Sequence, residues 1–401
     1  MTIEARRPPL QLAAGFRRIV GGGASWSGLL LQLAVLAGIV WLGYVMAGNV
    51  RANLQAQGIA SGFGFLERSA GFAISQTLIP YDQTDSYFRV FLVGLVNTIV
   101  VSALGIVLAT VLGFIIGLGR LSPNWLLARL AGGYVELIRN LPLLYQILFW
   151  YLAVLGALPG PRQSLSPVEG VFLSNRGIVV PRPIPQDSFL IVCAAIGIAV
   201  VVALGLRGYA RRALFGRGRV VTVWPYAVAA LIGLPLLAIA LFGVPLRFEM
   251  PVLRGFNFAG GSRVLPEFAA LTIALSTYTA AFIAENVRAG VQSVHKGQWE
   301  AGESLGLSRG QLLRWIVVPQ ALRVILPPLT NQYLNLTKNS SLAVAIGYPD
   351  LFSVVAGTTL SQTGQAIEII AMTMAVYLFI SLVTSTLMGL YNWRISSKDR
   401  A

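Results

Sequence analysis

A single cysteine, Cys193, and a single histidine, His295, stand in 401 residues. One cysteine builds no disulfide framework, and the pair supplies no Cys/His metal site. Charge is scarce as well: only 11% of residues are Asp, Glu, Lys or Arg. The three lysines, Lys296, Lys338 and Lys398, are followed by Gly297, Asn339 and Asp399. None precedes Ser or Thr after a glycine-rich turn, so the chain has no P-loop. It also lacks a nucleophile elbow, a His-based acid/base pair and a carboxylate cluster. These absences argue against an enzyme, and any energy drawn from nucleotide must come from another polypeptide.

What is abundant is apolar. Hydrophobic residues make up 56% of the chain and the mean hydropathy is +0.72, more than a soluble domain can hide. The expected fold class is therefore an all-α integral membrane protein. Apolar runs bordered by charge or turn residues predict eight spans, near 28–47, 91–118, 134–157, 189–206, 223–244, 266–286, 322–346 and 368–391. The basic start and the lack of a nearby small-residue cleavage site mark the first as a retained helix. The loops at 158–187 and 245–265 read as structured outer loops. Gly94, Gly105 and Gly113 give the second span a small-residue stripe suited to close helix packing.

The net charge of +15 would suggest a nucleic-acid partner in a soluble protein. Here the arginines gather just beyond apolar runs, as in Arg207, Arg211, Arg212, Arg217 and Arg219, and no nucleic acid is expected. With the N-terminus inside, the inner segments hold 20 Lys or Arg and the outer ones 9, which places both termini on the cytoplasmic side.

The most ordered signals lie in 298–330, QWEAGESLGLSRGQLLRWIVVPQALRVILPPLT. A short helix through Glu300 is followed by a turn at Gly306. Ser308 and Gln311 form a capping box for a second helix, and Pro319 marks a break before the seventh span. This layout resembles the EAA loop of importer-type permeases in the ATP-binding cassette superfamily. Glu300, Ala301, Gly306, Ile316 and Pro319 match by residue and spacing, while Gly302 replaces the second Ala and Val318 the Leu. Together with YVELIRNLPLLYQILFWY, YTAAFIAENVRAGVQSV and LPPLTNQYLNLTKNSSL, the chain is similar to polar amino acid permeases over most of 88–157 and 266–392. Its extra length resembles the general L-amino acid importers of Gram-negative bacteria.

The resemblance implies a five-helix type I permease core within 88–392, interrupted by a two-helix insertion at about 158–265. Residues 1–87 add a cytoplasmic tail, a span and a periplasmic segment, and 393–401 form a second cytoplasmic tail. It implies that the loop at 298–319 docks into a groove on a separate ATPase. Glu300 would make polar contacts there, Ala301 permit close approach and Gly306 allow the turn. The implied setting is the bacterial inner membrane, with lipid around the chain. The implied partners are a second, related permease forming a heterodimer, two ATP-binding subunits and a periplasmic amino acid-binding protein. No cofactor is expected on this chain; ATP and Mg would be used by the partner ATPase.

Polar residues within or beside the spans are costly in hydrocarbon and mark candidate contacts with a water-filled path. Glu285, Asn331, Lys338, Asn339, Ser340 and Ser341 are the candidates for that path. Lys338 either snorkels or pairs with Glu285. Glu136 with Arg139, and Glu285 with Arg288, stand three apart and suit helix-face ion pairs, which equally serve only to stabilise helix ends. An ion-coupled secondary transporter stays open as the alternative, since it too would use polar groups in the membrane.

Overall fold

The computed structural model describes residues 26–56 and 62–397, and the remaining parts of the expected tails lie outside the described residues. Among the described residues seven helices are long and apolar enough to cross a membrane, and an eighth span is formed if one bent pair is taken together. In chain order the helices begin with α1 (Trp26–Ala56), α2 (Tyr87–Arg120), the bent pair α3 (Trp125–Asn140) and α4 (Leu143–Leu148) with its π-helical extension Phe149–Leu155, then α5 (Phe189–Arg217), α6 (Trp224–Phe242) and α7 (Pro266–Gln292). Beyond them come α8 (Lys296–Ser304), α9 (Arg309–Leu312), α10 (Val318–Asn339), the short α11 (Leu360–Thr363) and α12 (Ala366–Ser397), the last two spans lying in α9–α10 and α12.

The expected span at 134–157 is not one helix. Its two halves bend by 107° between Asn140 and Leu143. Pro142 cannot donate to the helical ladder and forces Leu141 into extended backbone, φ −101° and ψ 129°. The carbonyls freed at the break are taken by Gln146, whose Nε2 donates to Ile138 O at 3.0 Å and Leu141 O at 3.1 Å. A 3-10 turn, Ser340–Ile346, then extends α10, and a π-helical segment, Phe352–Thr359, leads into α11.

The core forms where α2, α7 and α10 meet, around Val101, Ala109, Leu275, Ile283, Ile325 and Leu336. Glycine lets the backbones touch. A Cβ on Gly113 would lie 2.6 Å from Ile283 Cβ and 3.0 Å from Ala280 O, and one on Gly290 would collide with Ile325 Cγ1. The small-residue stripe therefore does pack: Gly94 abuts the Leu351 backbone and Gly105 meets Leu336. Thr110 Oγ1 and Tyr333 Oη, 2.9 Å apart, add a polar tie between α2 and α10.

The outer-loop expectation gains detail that the sequence did not supply. The two loops carry eight short strands, β1 (Leu165–Val168), β2 (Val171–Ser174), β3 (Gly177–Val180), β4 (Arg182–Pro185), β5 (Leu246–Glu249), β6 (Val252–Arg254), β7 (Asn257–Ala259) and β8 (Ser262–Val264). The antiparallel order β1-β2-β3-β8, with separate pairs β4-β5 and β6-β7, stitches one loop to the other. Phe172 stacks on Phe258 at 4.5 Å across the same junction.

Candidate functional site

The loop following α7 folds as two helices held by their caps. The His295 ring accepts from Gly297 N–H at 3.1 Å at the start of α8. At its end, Gly306 N–H donates to Glu303 O at 2.9 Å and Leu307 N–H to Gly302 O at 3.2 Å. That bond pair is a Schellman motif, and it places Gly306 at φ +72°, where a Cβ would be strained. The expected capping box starts α9: Ser308 N–H donates to Gln311 Oε1 at 2.9 Å, and Gln311 N–H to Ser308 Oγ at 3.4 Å.

Pro319 departs from expectation. It causes no break, because a π-helical turn, Leu313–Val317, carries α9 into α10 and Pro319 falls in the first turn of α10. A π turn relieves the missing N–H and the ring clash that a regular helix would suffer. Gly302 has a packing reason: a Cβ there would sit 2.9 Å from Leu312 Cδ1 and 3.2 Å from Ile316 Cδ1. Gly302 and Ile316 thus clamp α8 to the continuous helix, while Glu300 and Ala301 face outward, exposed. Leu305, which the sequence reading passed over, is 78% exposed at the tip. An apolar residue between Ser304 and the turn glycine was the available signal.

The polar candidates separate into two ends. Glu285 forms the expected pair with Arg288, whose Nη2 donates at 2.5 Å, and it also binds Arg120 of α2. Arg120 stands 165 residues earlier in the chain, a pairing that spacing along one helix does not suggest. Glu285 lies two turns before the end of α7 that enters the loop, whereas Lys338 lies at the far end of α10, so the Lys338–Glu285 pair does not form. Two guanidiniums already occupy the Glu285 carboxylate. The Glu136–Arg139 pair does not form either: Glu136 is exposed, and Arg139 sits over the Phe282 ring at 5.2 Å.

Asn331 and Lys338, seven apart, share an exposed face of α10. Lys338 and Ser341 line a groove of about 410 Å³ with Phe352, Thr373, Tyr377 and Ser381. Asn339 is half-buried. Ser340 does not face the groove: it is fully buried and donates to Thr337 O at 2.8 Å. Behind it lies a knot that the sequence did not reveal. Fully buried Asp350 accepts from Ser353 N–H at 2.8 Å and Tyr377 O–H at 3.2 Å, and Asn97 Nδ2 donates to Pro349 O at 2.8 Å. These bonds fix the turn after α10 against α2 and α12.

Residues 109–397 match the family described as binding-protein-dependent transport system inner membrane component. The putative amino-acid ABC transporter permease protein YhdX of Escherichia coli is 55% identical over 94% of this chain and 95% of its own length. The general L-amino acid transport system permease protein AapQ of Rhizobium johnstonii is 48% identical over 92% of each chain. The glutamine transport system permease protein GlnP of Escherichia coli is 33% identical, and 89% of it aligns with only 51% of this chain.

Proposed function

The chain belongs to the binding-protein-dependent transport system inner membrane components, and from that premise we infer that it is the membrane permease of an ATP-binding cassette importer for amino acids. The observation that carries the mechanism is the α8 clamp. Glu300, Ala301 and Leu305 present an exposed surface, while Gly302 packs on Leu312 and Ile316 of the helix that continues to Lys338. A partner that grips this surface pulls on α10 directly, because rigid packed elements transmit displacement.

In this reading the partner is a separate ATPase, present as two subunits that use ATP and Mg, and this chain binds no cofactor. Leu305 enters an apolar part of the docking groove and Glu300 its polar rim. A second, related permease completes the pore as a heterodimer, and a periplasmic binding protein delivers the amino acid. The α8 end and both termini face the cytoplasm, supported by the excess of Lys and Arg there. Closure of the ATPases and their reset after hydrolysis then switch the path between two access states.

The test is amino-acid uptake into proteoliposomes holding this chain with its partner permease, ATPase and binding protein. Uptake is expected to require ATP on the ATPase side. Glu300→Ala, Leu305→Asp and Gly306→Pro should each lower it at least about tenfold while the chain stays folded, the scale of a lost docking contact. Uptake by this chain alone, driven by an ion gradient and indifferent to these changes, would establish the secondary transporter instead.

A further inference from the structure

At the strand-bearing end, remote from α8, a cavity of about 530 Å³ gathers charged groups that do not pair with one another. Tyr151, Asn175, Arg176, Arg263, Pro266 and Glu267 line it. Arg176 sits in the turn between β2 and β3, and Arg263 in β8, where it pairs with Val179 of β3. Arg263 donates from Nε at 2.9 Å and Nη2 at 2.7 Å to the Arg176 carbonyl, which fastens one guanidinium beside the other residue. The Arg176 side chain is exposed and makes one long contact, from Nη1 to Phe256 O at 3.4 Å. Glu267, in the first turn of α7, accepts from Tyr151 O–H at 3.1 Å. Among the described residues the ion pairs include none of Arg176, Arg263 and Glu267.

Two cations and one anion therefore share a concave site without collapsing onto each other, because strand pairing holds the arginines and Tyr151 holds the carboxylate. A simple anion would engage only the arginines and a simple cation only Glu267. A small molecule carrying both charges engages all three. We propose that this cavity is an outer binding site for a free amino acid, with its α-carboxylate on Arg176 and Arg263 and its α-ammonium on Glu267. The proposal rests on the amino-acid import reading and adds a site built partly from the inserted strands. A clamp on groups common to every amino acid leaves the substrate side chain beside exposed Leu152 and Gly156, so the site tolerates different side chains.

The test is binding of tritiated L-glutamine to the full chain in lipid nanodiscs, with two competitors. Glutaramic acid lacks the ammonium and 4-aminobutanamide lacks the carboxylate. Saturable L-glutamine binding is expected, with both competitors at least about tenfold weaker, as for a lost charge-assisted hydrogen bond. Arg176→Gln should weaken L-glutamine and glutaramic acid at least about tenfold and leave 4-aminobutanamide unchanged. Glu267→Gln keeps an acceptor for Tyr151 and should do the converse. No saturable binding by the wild type, or unchanged affinity in both variants, overturns the site. If ATP-driven uptake by the assembled transporter persists alongside that result, the import reading stands and the site alone is lost. If selective binding holds but the assembled transporter shows no ATP-driven uptake, the site stands and the import reading falls.

Discussion

The helix α7 and the hairpin of α5 and α6 cross the same membrane under different rules. Over its most apolar stretch α7 is 67% buried within the chain, against 11% for α5 and 6% for α6. The buried helix is the less hydrophobic one: mean hydropathy is 1.4 in α7 and 3.0 in α5. Lipid supplies no hydrophobic drive for helices to associate, so α7 is held by small residues and shape, with Ala270, Ala274, Ala280, Ala281 and Ala284 fully buried. The hairpin needs only length and apolarity to sit in lipid, and most of its leucines, isoleucines and valines are exposed, Val192 being a buried exception. Hydropathy thus finds the spans but does not rank their packing: α2, at 2.8, is 28% buried, whereas α6, at 2.2, is only 6% buried.

The sharpest way to break this contrast is one methyl group placed in each region. Gly113→Ala pushes a Cβ to 2.6 Å from Ile283 and to 3.0 Å from a backbone oxygen that cannot rotate away. The expected cost is about 3 kcal/mol, read as a fall in thermal stability in detergent. Gly197→Ala in α5 meets nothing within 4 Å and should cost nothing. Equal losses at the two positions would remove the distinction between packed and lipid-facing spans.

A smaller effect separates the two acids that the sequence treated alike. Glu285→Gln leaves Arg120 and Arg288 facing each other without a carboxylate, in a site where the Glu285 side chain is 24% exposed. A loss of about 2 kcal/mol is expected, below the range for a fully buried pair because water still reaches the site. Glu136→Gln, at an exposed position, should stay within about 0.5 kcal/mol of the wild type. Unfolding of both variants in the same detergent provides the comparison, and a neutral Glu285→Gln would deny the arginine pair its role in fastening α2 to α7.

Seven of the eight expected spans correspond to long helices, because a run of about 20 apolar residues has few alternatives. The loop at 298–319 was legible for the same kind of reason: the Ser308–Gln311 box and the turn at Gly306 are set by neighbours in sequence. The failures were of two kinds, local geometry and partners distant in sequence. The break at Pro142 was passed over within the expected span 134–157, and the Gln146 cap that sustains it appears only in three dimensions. Spacing of three joined Glu136 to Arg139, while the structure turned Arg139 onto Phe282. Glu285 found Arg120, 165 residues earlier, and Asp350 found Tyr377. The strands β1 to β8 are too brief to give an alternating signal.

The smallest expected effect comes from the largest change. Val180 of β3 and Ser262 of β8 are antiparallel partners, so replacing residues 181–261 by Asn-Gly would close β3 and β8 as an ordinary two-residue hairpin. The cut removes α5, α6 and strands β4 to β7, but keeps Arg176, Arg263 and Glu267 and the core around α2, α7 and α10. Because α5 and α6 pack chiefly on each other, the shortened chain should remain folded and monodisperse. Its midpoint should fall by no more than about 4 °C, the shift for about 1 kcal/mol in a domain of this size. Aggregation of the shortened chain, with no cooperative melt, would make the hairpin part of the structural core. The low burial of α5 and α6 would then reflect a face that a neighbouring subunit covers in the assembled transporter.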